Sequence, residues 1–391
     1  MSDVPTRLID ELASMTDLTG EVFVSRAPGR VEVLGNHTDY NGGLVLAASI
    51  ERFVWAIGTP AKHVTVRSLQ FGETVTFDHI GQTRTRRADW HDYIRGVFWA
   101  FERRKKRFIG LTAVVDGDVP IGSGLSSSAA LEVAVANLVA RVNRLDLHPK
   151  AIAMMAFEAE RLFCGVSCGI MDQFTSQLCA KDSLLAIECS TMQTADVPLN
   201  PNLSLLVVES GVSRTAGDVL NARRRECDEA VKILREYGWQ VTRLSQIRGE
   251  DIDRVDSLLP ESLSRRVRHV VTENDRVRAG IRALREGRVR DFGQLMYESH
   301  ASSRDLYEVS HPRLDLLVDI ARRQKGVVGA RLTGAGLGGS VLCLVRRADA
   351  ETVSRNVARE YESETGVLPA TLLTGVPGEV TVQSVDPFTP L

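Results

Sequence analysis

Apolar residues along the chain recur with two periods, that of strands and that of helices. Val64, Val66, Val75 and Phe77 alternate with polar neighbours, the pattern of half-buried strands. Strands are expected at Glu21–Arg26, Leu44–Ile50, Phe53–Gly58, His63–Leu69 and Thr74–Ile80. Ahead of them, Leu8, Ile9, Leu12 and Met15 share one face of a first amphipathic helix. Asp92–Lys106 predicts a helix with Ile94, Val97, Phe98 and Phe101 on its apolar face. Leu111–Val115 reads as a strand running into the glycine-containing loop Asp116–Leu125. Helical patterns cover Ser126–Val142, Pro149–Phe163 and Ile170–Cys179, and Leu184–Glu188 and Leu205–Val208 are short buried strands. Past residue 200 long charged helices dominate, at Asp218–Tyr237, Pro260–Gly287, Val289–Leu306 and Pro312–Gln324. Strand-like segments return at Gly329–Leu332, Val341–Val345 and after Pro369. Strands and helices neither alternate strictly nor segregate, so a mixed α+β protein is expected rather than a doubly wound sheet. Pro198–Asn202 marks the expected boundary between two domains, 1–199 and 200–391.

Composition narrows the function classes. Forty-eight Lys and Arg stand against 50 Asp and Glu, a formal charge of −2, which does not suit a dedicated nucleic-acid binder. Apolar residues at 43% are too many for a disordered chain, and no apolar run approaches a bilayer span. A chain of 391 residues can bury its core without disulfide or metal staples. Cysteines at 164, 168, 179, 189, 227 and 343 form no C-x-x-C pair, which opposes a zinc site. Asp10 and Glu11 interrupt any secretory h-region, so free thiols in a reducing cytoplasm are the simplest expectation. The basic runs 103–107 and 223–225 read as solvated helix faces, with anion attraction as the alternative. Nothing fixes an oligomeric state; a monomer is the simplest case.

Chemistry concentrates first in Pro120-Ile-Gly-Ser-Gly-Leu-Ser-Ser-Ser-Ala-Ala130. A strand, a glycine turn, three serines and a helix follow in order. Glycines let the backbone approach a ligand, and a helix start offers unpaired N–H groups and a positive dipole end. The segment suits a nucleotide's phosphates. It is not a Walker A loop, because no Gly-Lys-Ser/Thr closes it, nor a G-x-S-x-G hydrolase elbow. Gly334-Ala-Gly-Leu-Gly-Gly339 matches G-x-G-x-x-G, but a strand pattern follows it rather than a helix. That favours a hairpin or ligand-contacting loop and opposes a nicotinamide oxidoreductase.

Two polar clusters complete the candidates. Arg26–Gly43 packs Arg30, Glu32, Asn36, His37, Asp39 and Asn41 between glycine turns. Such a set suits a polyhydroxyl ligand, or an ordinary polar loop in which Asn and Asp cap turns. Asp172 is a lone carboxylate in the mostly apolar stretch Cys168–Phe174, which implies a partner or catalysis. Glu158 and Glu160, on the helix before it, read as exposed helical carboxylates.

Taken together these segments resemble the galactokinases of the GHMP kinase superfamily. The signatures are Gly29-Arg-Val-x-x-x-Gly-x-His-Thr-Asp-Tyr-Asn-Gly-Gly43, Gly122-Ser-Gly-Leu-Ser-Ser-Ser-Ala-Ala130, Gly169-Ile-Met-Asp-Gln-Phe174 and Thr333-Gly-Ala-Gly-Leu-Gly-Gly339. Glu298-Ser-His300, Leu306–Ser310 and Trp90–Val97 are also similar, and Trp90 falls in the stretch that helps form the family's adenine pocket. The resemblance implies an N-terminal domain like that of a ribosomal protein and a ferredoxin-like C-terminal domain, with the active site between them. It implies transfer of the γ-phosphoryl group of ATP to the anomeric hydroxyl of a sugar. Asp172 would be the base, with Arg30 beside it steadying charge at the transferred group. Gly122, Ser123, Gly124, Leu125, Ser126, Ser127 and Ser128 would cradle the phosphates, and Ser128 and Glu160 would hold Mg2+. His37 and Asp39 would bind sugar hydroxyls near Gly169, and the loop with Gly334 and Gly336 would close over the reacting centre.

Some positions depart from the family pattern. Asn36 replaces the glutamate that normally accepts from a sugar hydroxyl, and Glu32 replaces the usual asparagine. Leu220 stands where a tyrosine is usual, and Leu337 where a phenylalanine is. Galactose is therefore the first expectation, with another hexose, a pentose or a uronic acid as alternatives. On the family pattern, Asn36→Glu would improve galactose use. A non-catalytic sugar and ATP sensor is the reading from a different class, and the complete Ser-Ser-Ser-Ala-Ala loop opposes it.

Overall fold

The computed structural model describes residues 4–78, 89–104, 108–213 and 217–385. Residues 79–80 of one expected strand, 105–106 of one expected helix and 105–107 of a basic run lie outside them. The first sheet holds β1 (Val22–Leu34), β2 (Leu44–Ala61), β3 (Val64–Ser68), β4 (Glu73–Phe77), β5 (Gly110–Gly117), β6 (Ser183–Glu188) and β7 (Gln193–Pro198). The second holds β8 (Leu203–Glu209), β9 (Val327–Thr333), β10 (Ser340–Arg346) and β11 (Thr371–Thr374), in the order β11-β8-β10-β9. The last strand, β12 (Thr381–Val385), returns to the first sheet and pairs with β1. A cut at residue 200 does not capture that return.

Two strands run further than periodicity indicated. β2 is one strand of 18 residues, because its two expected halves pair with different neighbours and only Glu51 to Phe53 between them surface. β1 continues from Arg26 through Pro28 and Gly29 to Leu34, where sequence suggested a loop. Its register against β2 shifts between Pro28 and Arg30. Pro28 has no N–H for the ladder, and such a bulge re-aims the next side chain. The Arg30 N–H leaves the ladder and donates to the Leu125 carbonyl at 3.1 Å. A β-carbon on Gly29 would sit 2.9 Å from that same oxygen, so glycine here lets the Gly-Ser loop lie against β1.

The first half carries α1 (Thr6–Met15), α2 (His91–Arg103), α3 (Ser127–Val142), α4 (Pro149–Glu158) and α5 (Met171–Leu178). α3 is buried on nearly every side because β1, β2, α2, α4 and α5 all pack on it, which is why its sequence is Ala- and Val-rich. The second half carries α6 (Gly217–Glu236), α7 (Ile252–Asp256), α8 (Glu261–Arg285), α9 (Val289–Asp305), α10 (Pro312–Arg323) and α11 (Ala350–Thr365). The periodicity reading omitted α11, although Val353, Val357 and Tyr361 recur every four residues on its buried face. No helix among the described residues is long and apolar enough to cross a membrane.

A polar seam locks the halves together. Glu273 on α8 is fully buried and accepts from the Gly35 and Asn36 N–H groups and from Ser299 Oγ. Burial opposes its charge, but Arg276, Arg331 and His269 outweigh that and hold the carboxyl well below its ordinary range. Thr333 Oγ1 bridges both main-chain groups of Glu32, and Ser340 Oγ donates to the Ser123 carbonyl. The Thr333–Ser340 hairpin therefore sits between the sugar-motif candidate and the Gly-Ser loop.

β9, which carries that hairpin, seats on α9 through two glycines. A β-carbon on Gly293 would overlap the Val328 carbonyl oxygen, and one on Gly329 would lie 2.6 Å from Gly293 Cα. In an open helix Gly→Ala gains about 1 kcal/mol of helix propensity. Here overpacking costs about 1–3 kcal/mol or more and wins. Gly293→Ala is expected to lower the denaturant midpoint; an unchanged or raised midpoint would contradict this packing.

Candidate active site

One cleft of about 400 Å³ opens where the halves meet. Its wall includes Arg30, Asn36, His37, Asp39, Trp90, Gly122, Gly124, Ser126, Ser127, Ser128, Glu160, Gly169, Asp172, Leu220 and Gly334. Three candidates do not line it. Ser123 is buried with its hydroxyl on the Pro120 carbonyl, Leu125 joins the apolar core, and Gly336 packs against the Val309 carbonyl. Their contribution is to the shape of the loops rather than to contact by side chains.

Arg30 and Asp172 form the centre of the cleft. Arg30 Nε donates to Asp172 Oδ1 at 2.7 Å and Nη2 to Oδ2 at 2.6 Å, a bidentate pair. Arg30 Nη1 donates to the Gly124 carbonyl at 2.6 Å. Ser126 Oγ donates to Asp172 Oδ2 at 2.5 Å. Oδ2 thus has two donors and Oδ1 one, so Oδ1 keeps a free lone pair. Ser126 reaches Asp172 because its backbone is left-handed, at φ 63°, beside Gly122 and Gly124 at φ 78° and 88°. A non-glycine residue held there is the kind of strain found at functional sites. Its side chain makes no cap hydrogen bond to the helix it starts, so the α3 N-terminus keeps its anion-binding character.

Beside this loop lies a carboxylate cluster. Ser128 Oγ donates to Glu160 Oε1 at 3.0 Å. Gln173 Nε2 lies between Glu160 at 2.6 Å and Glu132 at 2.9 Å. Glu160 is not the exposed helical carboxylate its spacing suggested. It sits in a π turn, Ala159–Phe163, which carries it inward from the end of α4. Burial first, then the Asp172 charge, raises its pKa; Glu132 is raised by burial and by Glu160. Glu132 Oε1 has no hydrogen-bond partner. Two buried carboxylates, a serine and an orphaned oxygen without a cationic side chain suit a divalent cation. Mg2+ needs only one or two carboxylates beside phosphate oxygens, so Ser128 and Glu160 fit it without a three-ligand cage.

The far end of the cleft is built from the Arg26–Gly43 motif. Asp39 is wedged against Gly169, where any β-carbon would overlap its carboxylate. Burial pushes Asp39 up to about 6, the Tyr40 N–H opposes this, and Asp172 adds to it. His37 lines the cleft, but its ring nitrogens are used within the protein. The Ala335 carbonyl can only accept, so Nε2 carries the proton at 3.2 Å, and Nδ1 accepts from Tyr40 Oη at 3.0 Å. Burial lowers its pKa to about 3, and the ring stacks on Tyr307. His37 therefore braces the glycine hairpin as well as lining the cleft. Elsewhere along the cleft Trp90 stacks on Phe71 with centroids 5.1 Å apart, and Tyr93 lines the wall as well.

Sequence reasoning missed several of these groups. Tyr40, Gln173 and Tyr307 lie inside motifs but advertise no chemistry alone. Glu132 hides among the Ala and Val of α3, and only tertiary packing brings Phe71 to Trp90. The run 223–225 divides: Arg223 pairs with Glu226 and Glu308, while Arg224 covers the Tyr40 ring and lines the cleft. Among the described residues no cluster of three His, Cys, Asp or Glu side chains forms a metal cage.

Comparison with known proteins decides the family. The pattern of the GHMP kinases N terminal domain matches residues 92–179, that of GHMP kinases C terminal matches 281–363, and the galactokinase galactose-binding signature matches 16–60. The galactokinase of Roseiflexus sp. is 41% identical over 348 residues, 88% of each chain. The chain belongs to the galactokinase family of GHMP kinases. Another relative, the galactokinase of Chloroflexus aggregans, is 42% identical over 86% of each chain. The crystal structure of Lactococcus lactis galactokinase complexed with galactose aligns at a TM-score of 0.91 and 29% identity, over 96% of this chain and 99% of that one. Mevalonate kinase, at 18% identity and a TM-score of 0.64, shares the fold. The α+β expectation and the GHMP kinase architecture hold, and the chain is an ATP-dependent sugar kinase.

In this kinase Gly169 admits the Asp39 carboxylate to the cleft wall. Gly169→Ala is expected to displace Asp39 and raise the sugar KM by about tenfold, with the ATP KM within about twofold. Equal rises in both constants would contradict a role confined to the sugar end.

Proposed function

We propose that this kinase transfers the γ-phosphoryl group of ATP to the C1 hydroxyl of D-galactose. The Arg30–Asp172 pair carries the reading, because it places an acceptor oxygen beside a phosphate-binding loop in one cleft. Asp172 Oδ1 takes the proton of the C1 hydroxyl as the C1–O–P linkage forms and the bond to the ADP oxygen breaks. Arg30 uses one hydrogen each from Nε, Nη1 and Nη2 on the protein. Two of its five N–H donors remain for the transferred group. The Gly122–Ser128 loop and the start of α3 bind the phosphates, with Trp90 and Phe71 as the adenine platform. Ser128 and Glu160 hold Mg2+, which when bound neutralises charge on the β- and γ-phosphates. Asp39 binds a sugar hydroxyl, while Leu220 and Gly334 bound the sugar from the other half. Residues 1–199 with β12, and the rest of 200–391, act as the two walls, and free cysteines suit a cytoplasmic enzyme.

Galactose is supported by the match to a galactose-binding signature and by the likeness to a galactokinase complexed with galactose. The departures at Asn36 and Leu220 favour a second reading, a different sugar phosphorylated at the same anomeric position. Incubation with Mg-ATP and a panel of hexoses, pentoses and uronic acids, followed by ADP release and 31P NMR, tests both. The expected result is ADP release stimulated most by galactose, with phosphorus on C1. Preference for another sugar would replace galactose, and binding of sugars without ADP release would end the kinase mechanism.

A further inference from the structure

Glu32 and Asn36 stand four residues apart, both buried and both in the cleft wall. The Asn36 side chain is almost fully engaged. Its two amide hydrogens go to Glu32 Oε2 at 3.1 Å and the Gly334 carbonyl at 2.9 Å, and its oxygen accepts from Ser303 Oγ at 2.8 Å. It has no hydrogen left to give. Glu32 is short of donors instead. Oε2 accepts from Asn36, and Oε1 faces only Arg331 Nη1 at 3.4 Å, a long contact. A carboxylate offers about four lone-pair sites, so two stay open. Arg331 is fully buried, its Nε and Nη2 find no hydrogen-bond partner among the described residues, and Glu32 lies within ion-pair distance of it. Burial pushes Glu32 up to about 7 against the pull of Arg331.

We infer that Glu32, rather than residue 36, supplies the carboxylate that accepts hydrogen bonds from the hydroxyls of the bound sugar, with Asn36 as its positioning residue and Arg331 as its counter-charge. The inference rests on the sugar-kinase reading and names a specificity determinant within it. The two departures from the family pattern become one exchange: carboxylate and amide have traded places across a single hydrogen bond. Glutamate at 36 alone would set a second carboxylate against Glu32 and the Gly334 carbonyl. The family pattern therefore misleads about Asn36→Glu, which harms the pocket instead of restoring it.

The test compares galactose and ATP saturation kinetics and galactose calorimetry for the parent, E32Q, N36E and E32N/N36E. E32Q is expected to raise the galactose KM and Kd by about tenfold or more, with the ATP KM within about twofold. N36E is expected to do at least as much harm, and E32N/N36E to return the galactose KM to within about threefold of the parent. A parent-like galactose KM for E32Q, or a double exchange no better than its single members, would overturn the inference. Should E32Q fail to fold because Arg331 is stranded, E32Q/R331M decides: a similar KM rise supports the role of Glu32, and parent-like kinetics refute it. If the parent uses another sugar, that sugar replaces galactose in every arm. A parent that binds sugar but never phosphorylates it sinks the kinase reading separately, and the calorimetric comparison still decides the role of Glu32.

Discussion

The guanidinium of Arg30 reaches Asp172 through two N–H groups and the Gly124 carbonyl through a third. One side chain thereby fixes β1, the Gly-Ser loop and the start of α5 relative to one another. Both partners are largely buried, with side-chain exposures of 6% and 22%. Removing one partner of such a pair typically costs about 3–5 kcal/mol, because a charge is left without compensation. The β1 bulge at Pro28 and Gly29, the left-handed Ser126 and the glycines beside it all serve this junction. Phosphoryl transfer depends chiefly on positioning and charge stabilisation, and a rigid junction supplies the positioning.

The second constraint is the seam. The sugar motif belongs to β1 and its turn, yet its polar groups end on the other half: Glu273, His269, Ser303, Gly334 and Ala335. The sugar end of the cleft is thus shaped by residues more than 230 positions away in sequence. Glu32, bonded to Asn36 within this motif, likewise meets Arg331 on β9 of the other half. The near-zero net charge is also accounted for. In the proposed function phosphate is met by a helix start, glycines, serines and a guanidinium already paired with a carboxylate, so such a nucleotide site adds little to the total.

Most of the chemistry was legible from residue types in order. The G-x-G-x-x-G segment is followed by a strand as read, and the Gly-Ser loop and the lone Asp172 meet in one cleft. What sequence could not show was which side chains the fold spends internally. His37 looked like a ligand alone, and the fold adds a bracing role, because its partners Tyr40 and Ala335 converge only through tertiary structure. Glu160 looked exposed, since a regular α-helix would have left it so; a π turn is invisible to a 3.6-residue period. Asn36 drew attention as the altered residue, whereas the open acceptor belongs to Glu32. β1 was cut short by Pro and Gly, which usually end strands but here make a bulge.

The central claim is that Asp172 acts on the C1 hydroxyl. Single-turnover phosphorylation by Asp172→Asn, alongside calorimetry with galactose and with ATP, tests it directly. The expected result is a rate lower by about 10²–10⁴-fold or more, with binding of both ligands still measurable. A variant that turns over at the parental rate would contradict it.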